Sequence, residues 1–384
     1  MGKPGLRVST SRSQGNELMP VVRCQNCQLP YPEQGVPYLC PACGGIFDYD
    51  RPFEFSLEKV DPNQPGMGRY RDAFVLPESA HEVTLGEGNT PLVWTEINGI
   101  RAALKLESAN PTGSYKDRGT AVLMGHLLNR GVNAAVEDSS GNAGASFAAY
   151  AARAGIKGRV FVPESASGPK RLQIEQFGAE LVSIPGPRSE AARAVLQEVE
   201  QGAVYASHAF LPFGLAGIAT IAYEVWQQLG CAPGSVAAPV GHGGLLLGIM
   251  RGFSALYDAG LIDKSPYYVG VQAQACAPAV SLYMQQFGID IPVLEDATLA
   301  EGVRVRNPVR AAAIVNAMGT DGGEFIGIPE ENILPAFKQA ARQGFYIEPT
   351  SALPWAALGL LKKKLPEPVV IILTGTGLKY NPYS

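Results

Sequence analysis

The sequence predicts an α/β protein whose parallel sheets are covered by helices on both faces, with a small cysteine-held ribbon in front. Two observations carry this expectation. From about residue 101, short, uniformly apolar or β-branched runs alternate with helical stretches, as expected of parallel strands joined by crossover helices. Ahead of them, Cys24-Gln-Asn-Cys27 and Cys40-Pro-Ala-Cys43 form two Cys-x-x-Cys pairs a dozen residues apart. With 384 residues the chain exceeds one compact core, so more than one domain is expected.

Taken in order, residues 1–20 read as a disordered tail, without the apolar core of a signal peptide. Residues 21–50 read as a ribbon in which two tight turns aim four thiolates at one zinc ion. Residues 47–100 are a proline-punctuated connector. The strand candidates are AALKL (102–106), AAVEDS (134–139), RVFV (159–162), ELVSI (180–184), SVAAPV (235–240), YYVGVQ (267–272) and VVIILT (369–374). Between them, residues 143–153, 170–177, 189–201, 215–229, 245–259 and 329–343 have helical composition or three- and four-residue apolar spacing, with Gly344 as a stop.

Bulk properties exclude several classes. Charged residues make up 17% of the chain and the net charge is −4, so there is no basic field for nucleic acid. No apolar run reaches the roughly 18 residues of a membrane span. The expected compartment is the cytoplasm, where six cysteines point to thiols or metal ligands rather than disulfides. Cys231 and Cys276 read as small buried hydrophobes, and His81 and His126 as structural.

Chemistry is expected from four segments. In ESANPTGSYKDRG (107–119), Asn110 to Gly113 is a turn and Ser114 reads as a helix N-cap, with Asp117 at N3. Lys116 then sits in the first helical turn, where the positive end of the dipole favours the neutral amine needed to attack a carbonyl. In DSSGNAGAS (138–146), Ser139, Ser140, Gly141 and Asn142 place hydroxyls, N–H groups and an amide between a strand end and a helix start, which suits a carboxylate. In PVGHGGLLLG (239–248), Gly241, Gly243 and Gly244 let backbone wrap an anion. The segment lacks both the Gly-Lys-Ser/Thr of a P-loop and the spacing of a dinucleotide fingerprint, so a lone phosphate fits it better. Thr374 closes the last strand with a hydroxyl in the same crevice.

In that order, the lysine segment, the SSGN loop, the glycine-rich loop and the TGTG turn resemble the fold-type II pyridoxal-phosphate enzymes. ESANPTGSYKDRG, LGEGNTPL (85–92), RYRD (69–72), EPTSA (348–352) and TGTGLK (374–379) are similar to segments of threonine synthases. The resemblance covers about residues 65–384. It implies two open, mostly parallel sheets. A large cofactor-binding domain would span 51–116 and 213–384, and a small mobile domain 117–212; a homodimer is the expected assembly. It further implies that Lys116 carries pyridoxal 5'-phosphate and that Asn142 partners the cofactor's ring oxygen. Gly241, His242, Gly243, Gly244 and Leu245 would seat its phosphate, and Thr374 would bond its pyridine nitrogen. Thr112, Ser139, Ser140, Gly141 and His208 are the implied contacts to a small amino-acid substrate, with Cys24, Cys27, Cys40 and Cys43 holding the metal. The implied reaction converts O-phosphohomoserine and water to threonine and phosphate.

Two departures matter. His242 stands where asparagine is frequent. SHAFLPFGLAGIAT (207–220), where a cation for the substrate phosphate is expected, has no lysine or arginine. His208 is its one possible cation, with Ser139, Thr112 and Lys105 as further candidates to compensate. This keeps a serine/threonine dehydratase or a β-replacement enzyme of the same fold open. A nicotinamide dehydrogenase accounts for the glycine loop but not for the lysine segment. A ribbon-led binding protein accounts for neither.

Overall fold

The computed structural model describes residues 22–77, 79–165, 168–361 and 364–380. The tail expected over 1–20 lies outside them. The first unit is a hairpin of two three-residue strands, β1 (Val22–Cys24) and β2 (Phe47–Tyr49), paired antiparallel. A second antiparallel pair follows, β3 (Leu92–Ile97) and β4 (Ile100–Leu106), and leads to α1 (Lys116–Asn129).

The chain then leaves for a smaller sheet of β5 (Ala134–Glu137), β6 (Lys157–Pro163) and β7 (Glu180–Ile184), parallel and in that order. Its crossovers are α2 (Asn142–Ala154) and α3 (Pro169–Gln176), and α4 (Arg188–Glu200) follows β7. It returns through α5 (Gly214–Leu229) to β8 (Ser235–Pro239), α6 (Gly244–Asp258), β9 (Tyr267–Ala273), α7 (Pro278–Gln285) and α8 (Ala311–Asp321). The last elements are β10 (Gly323–Ile328), α9 (Glu330–Arg342), α10 (Pro349–Leu360) and β11 (Val369–Leu373).

The larger sheet runs β10-β9-β8-β11-β4-β3, parallel except for the edge strand β3. In its centre Val369 lies opposite both Ser235 and Ala102, so three neighbouring strands end level. Every residue of β8 and β11 is buried, as strands covered on both faces require. This is the α/β architecture expected, with seven strand candidates in place. Sequence reading passes over β3 and β10, which are half-exposed edge strands. It also passes over α10, whose all-round burial and internal Pro354 leave no periodic stripe to read. Cys276 is buried as expected, whereas Cys231 is exposed in the turn after α5, so the expectation for Cys231 is corrected.

Two features make this frame stiff. Glycines let α5 lie against α1 and α6 at backbone distance: a Cβ on Gly217 would meet the Arg118 carbonyl at 2.0 Å, and one on Gly252 the Ala219 carbonyl at 2.4 Å. Beneath them runs a buried ion-pair network. Arg118 grips Glu107 and Glu224, each by two hydrogen bonds, and Lys105 donates to Glu224 at 2.6 Å. Burial opposes charge on Glu224, but the two cations outweigh it and hold its carboxyl down at about 2. Among the described residues no helix is long and apolar enough to cross a membrane.

Candidate active site

All the candidate segments lie at carboxyl ends of strands, the side on which open α/β sheets bind ligands. The lysine segment is pinned to the last turn of the chain: Tyr115 N–H donates to the Thr374 carbonyl and Thr376 N–H to the Gly113 carbonyl, both at 3.0 Å. Lys116 is the first residue of α1. The expected cap is corrected: the N-cap position belongs to Tyr115, and the buried Ser114 hydroxyl has no partner. Asp117 instead reaches back to Thr112, accepting from its N–H at 2.7 Å and its hydroxyl at 2.6 Å. The side chain ties the turn without capping the helix.

A cavity of about 830 Å³ opens between the two sheets. Lys116, Ser139, Ser140, Gly141, Asn142, His208, Gly241, His242, Gly243, Gly244, Leu245 and Thr374 all line it. Two expected contributors do not. Thr112 is buried behind the wall with its hydroxyl spent on Asp117. Lys105 points into the ion-pair network, bonded to Glu224, Gln228 and the Thr90 carbonyl.

The geometry of the glycine loop fits a phosphate. Gly243 is the N-cap of α6 with φ +95° and no side-chain cap, so the first-turn N–H groups of α6 are left for an external acceptor. A Cβ on Gly241 would meet the Gly302 carbonyl at 2.8 Å, so the backbone can follow this path only without a side chain. His242 adds a buried Nδ1 with no partner. Burial, with the charges of Lys116, Arg188 and Arg310 beside it, depresses His242 to about 3; it is a neutral ring.

On another wall, Thr374 and Asn142 meet on one carboxylate. Thr374 Oγ1 donates to Glu348 Oε1 at 2.9 Å, and Asn142 Nδ2 donates to Glu348 Oε2 at 2.8 Å. Ser351 lies 2.9 Å from Thr374 Oγ1 and accepts from Gly375 N–H. Glu348 thus fixes a neutral hydroxyl and an amide side by side at the cavity wall. Glu348 is a site residue missed by sequence reasoning; its segment, EPTSA, was in view, but nothing local says that its carboxylate joins residues from two distant segments.

His208 lies 3.3 Å from the buried Glu137 at the end of β5, and its ring packs edge-on against His242. Burial, then the charges of Lys116, His242 and Arg188, hold His208 well below the usual histidine range. Burial and the neighbouring Asp138 push Glu137 well above the carboxylate range, and its Oε2 has no partner.

The cations are not where the sequence reading looked for them. Lys170 from α3, Arg188 from the start of α4, Arg304 and Lys379 line the cavity. Lys379 ends the TGTGLK segment, whereas Lys170, Arg188 and Arg304 lie outside every segment singled out for its chemistry in the sequence, so only the fold brings these three to the cavity.

In the amino-terminal ribbon the Sγ atoms of Cys24, Cys27, Cys40 and Cys43 all lie within 4.8 Å of one another, with Cys24 to Cys43 at 3.5 Å and Cys27 to Cys40 at 3.6 Å. A tetrahedral ion with sulfur bonds of about 2.3 Å needs edges of about 3.8 Å, so the four thiols fit one such ion with little movement.

Comparison with known proteins agrees with this chemistry. Residues 83–375 match the family model described as pyridoxal-phosphate dependent enzyme. The threonine synthase of Methanocaldococcus jannaschii is 34% identical over 377 residues, 93% of this chain and 92% of its own. That of Mycobacterium leprae is 34% identical over 84% of this chain and 92% of its own. Among solved structures, a threonine deaminase from T.th. superposes with TM-score 0.64 at 28% identity, covering 76% of this chain and 94% of its own. A maize serine racemase, at 19% identity and TM-score 0.65, covers 75% and 88% and shares the fold.

Proposed function

The chain belongs to the pyridoxal-phosphate dependent enzymes, and from that premise we propose that it is a threonine synthase, a carbon–oxygen lyase that turns O-phosphohomoserine and water into threonine and phosphate. The observation that carries the substrate is the set of cations at the cavity. Lys170, Arg188 and Lys379 share its lining with Lys116, and a substrate phosphate needs such charge-assisted donors. They answer the absence of lysine and arginine from 207–220.

Bound pyridoxal phosphate supplies the electron sink that makes the substrate's α-proton removable. Gly241 to Leu245 and the first turn of α6 would hold its phosphate, Thr374 and Asn142 would contact its ring, and Lys116 would carry it. Once the substrate's amine takes its place on the cofactor, the freed Lys116 amine would move the protons at Cα and Cβ, so that phosphate can leave Cγ, with a proton delivered there, and water can add at Cβ. Ser139, Ser140 and Gly141, ahead of α2, receive the substrate carboxylate. Arg188, Lys170 and Lys379 bind the substrate phosphate and stabilise it as it leaves. His208 and His242, both held neutral, orient groups by hydrogen bonding. The same reading assigns one structural zinc to the four cysteines, gives closure over the site to residues 117–212, and takes the working form as a cytoplasmic homodimer.

The test is product analysis. O-phosphohomoserine should yield threonine and inorganic phosphate, and borohydride reduction of the yellow protein should label Lys116. If serine or threonine instead gives keto acid and ammonia while O-phosphohomoserine is inert, the protein is a dehydratase.

A further inference from the structure

No described residue of the ribbon lines the cavity, yet the ribbon is wired to two of its walls. Asp48, in the middle of β2 and five residues beyond Cys43, is 3% exposed. It binds Arg251 of α6 through both oxygens, at 2.7 and 2.9 Å, and Arg310 through Oδ2 at 2.9 Å. The Arg310 side chain is fully buried. Its Nη2 donates to the Phe210 carbonyl at 3.1 Å, two residues beyond His208. Its backbone N–H donates to the His242 carbonyl at 3.1 Å, and its Cβ lies 3.4 Å from where a Cβ on Gly243 would stand. Ribbon aromatics back the same segment: Tyr38 packs on Phe210 at 5.3 Å and Tyr31 on Phe213 at 5.1 Å.

We propose that Asp48 is a positioning residue for the cofactor-phosphate loop. Through Arg310 it fixes the backbone of His242 and Phe210, so the state of the cysteine cluster is transmitted to the active site. The dependence is electrostatic. A guanidinium with no access to water is tolerated only beside its counter-charge, and Asp48 is the carboxylate paired with Arg310 among the described residues. Asp48 in turn sits on a hairpin of three-residue strands. So short a hairpin does not hold by its own ladder; Phe47 and Tyr49 anchor it in the core of the protein, and a metal bound by the four cysteines would fix the turns beside it. Cluster, Asp48, Arg310 and loop therefore form one chain of dependence.

This inference rests on the glycine loop being the phosphate seat, and the experiment separates the two. Wild type, Asp48→Asn, Asp48→Glu and Gly243→Asp are stripped of cofactor and titrated with pyridoxal phosphate. Visible absorbance and the induced circular dichroism of the bound cofactor are followed, with metal content measured in parallel. Asp48→Asn should keep its metal and fold but bind cofactor roughly tenfold or more weakly, because it leaves a buried cation uncompensated. Asp48→Glu, which retains the carboxylate, should recover most of that affinity. Gly243→Asp should fail to bind. If Asp48→Asn binds as wild type does while Gly243→Asp fails, the clamp is refuted and the loop stands. If both bind normally, the loop reading falls and the clamp with it. Should Asp48→Asn not fold, chelation of the wild-type holoprotein decides. Cofactor release with unchanged far-ultraviolet circular dichroism supports the clamp, and full retention after metal loss overturns it.

Discussion

Lys379 shows how burial sets the working range of one cation. It is 8% exposed at the cavity wall, facing Asn142 at 3.5 Å and the charges of Asp117, Glu348 and Lys170. Burial lowers it from 10.5 to about 8 against the pull of the two carboxylates. The cation is therefore present below about pH 8 and is lost above it. If Lys379 binds the substrate phosphate, KM for O-phosphohomoserine should rise as pH passes through 8. Lys379→Gln should flatten that limb and raise KM at neutral pH by roughly tenfold or more, the value of one charge-assisted bond. A limb that persists unchanged in Lys379→Gln would assign it to another group. Neither His208 nor His242 should add a limb near 6.5, since both are held neutral. Lys116 and Thr374 were readable at this scale because their segments carry local turn and helix-start chemistry. Thr112 and Lys105 misled, because residue type alone does not tell a cavity-facing donor from one spent on Asp117 or Glu224.

At the scale of elements, the position of Lys116 depends on how closely α5 approaches α1. Gly217 lies against the carbonyl of Arg118, and Gly214 against the backbone of Gly119, where a Cβ would come within 2.9 Å of the carbonyl. A methyl at 217 must push the helices apart or shift the start of α1, two residues from Lys116. Gly217→Ala should therefore cost about 1–3 kcal/mol of stability, the usual penalty of overpacking, and should weaken cofactor binding as well. Denaturant midpoints and cofactor titration check both; a variant of wild-type stability would mean that the backbone relaxes there without strain. Helices with one apolar face were legible from periodicity, as with α9. α10, buried all round and carrying Pro354 inside it, was not, because neither a polar face nor an uninterrupted helical run marks it.

Across the whole molecule, the buried network joins segments far apart in sequence. Glu107 precedes α1, Arg118 lies within it, Lys105 is the last residue but one of β4 and Glu224 lies in α5. Glu87 of the LGEGNTPL segment accepts from Tyr150 of α2 at 2.6 Å, tying the smaller sheet's first crossover to the same region. Glu224→Ala would leave Lys105 and half of Arg118 uncompensated in the interior. It should cost about 3–5 kcal/mol, the scale for breaking one partner of a buried pair. Urea unfolding of the holoprotein measures this, and a loss under about 1 kcal/mol would show that water reaches the network.

The sequence by itself determined the class of fold, the seven apolar strand runs, the cysteine ribbon and the segments that face the cavity. Each depends on short-range information: periodicity, turn residues, and glycines or a lysine beside a helix start. Only the tertiary structure decided which charges meet. Glu348 joins Asn142 to Thr374, Arg188 and Lys170 reach the cavity from the smaller sheet's helices, and Asp48 is buried against Arg310. Electrostatic partnership is set by distance in space and by exclusion of water, and neither is written in the spacing of residues along the chain.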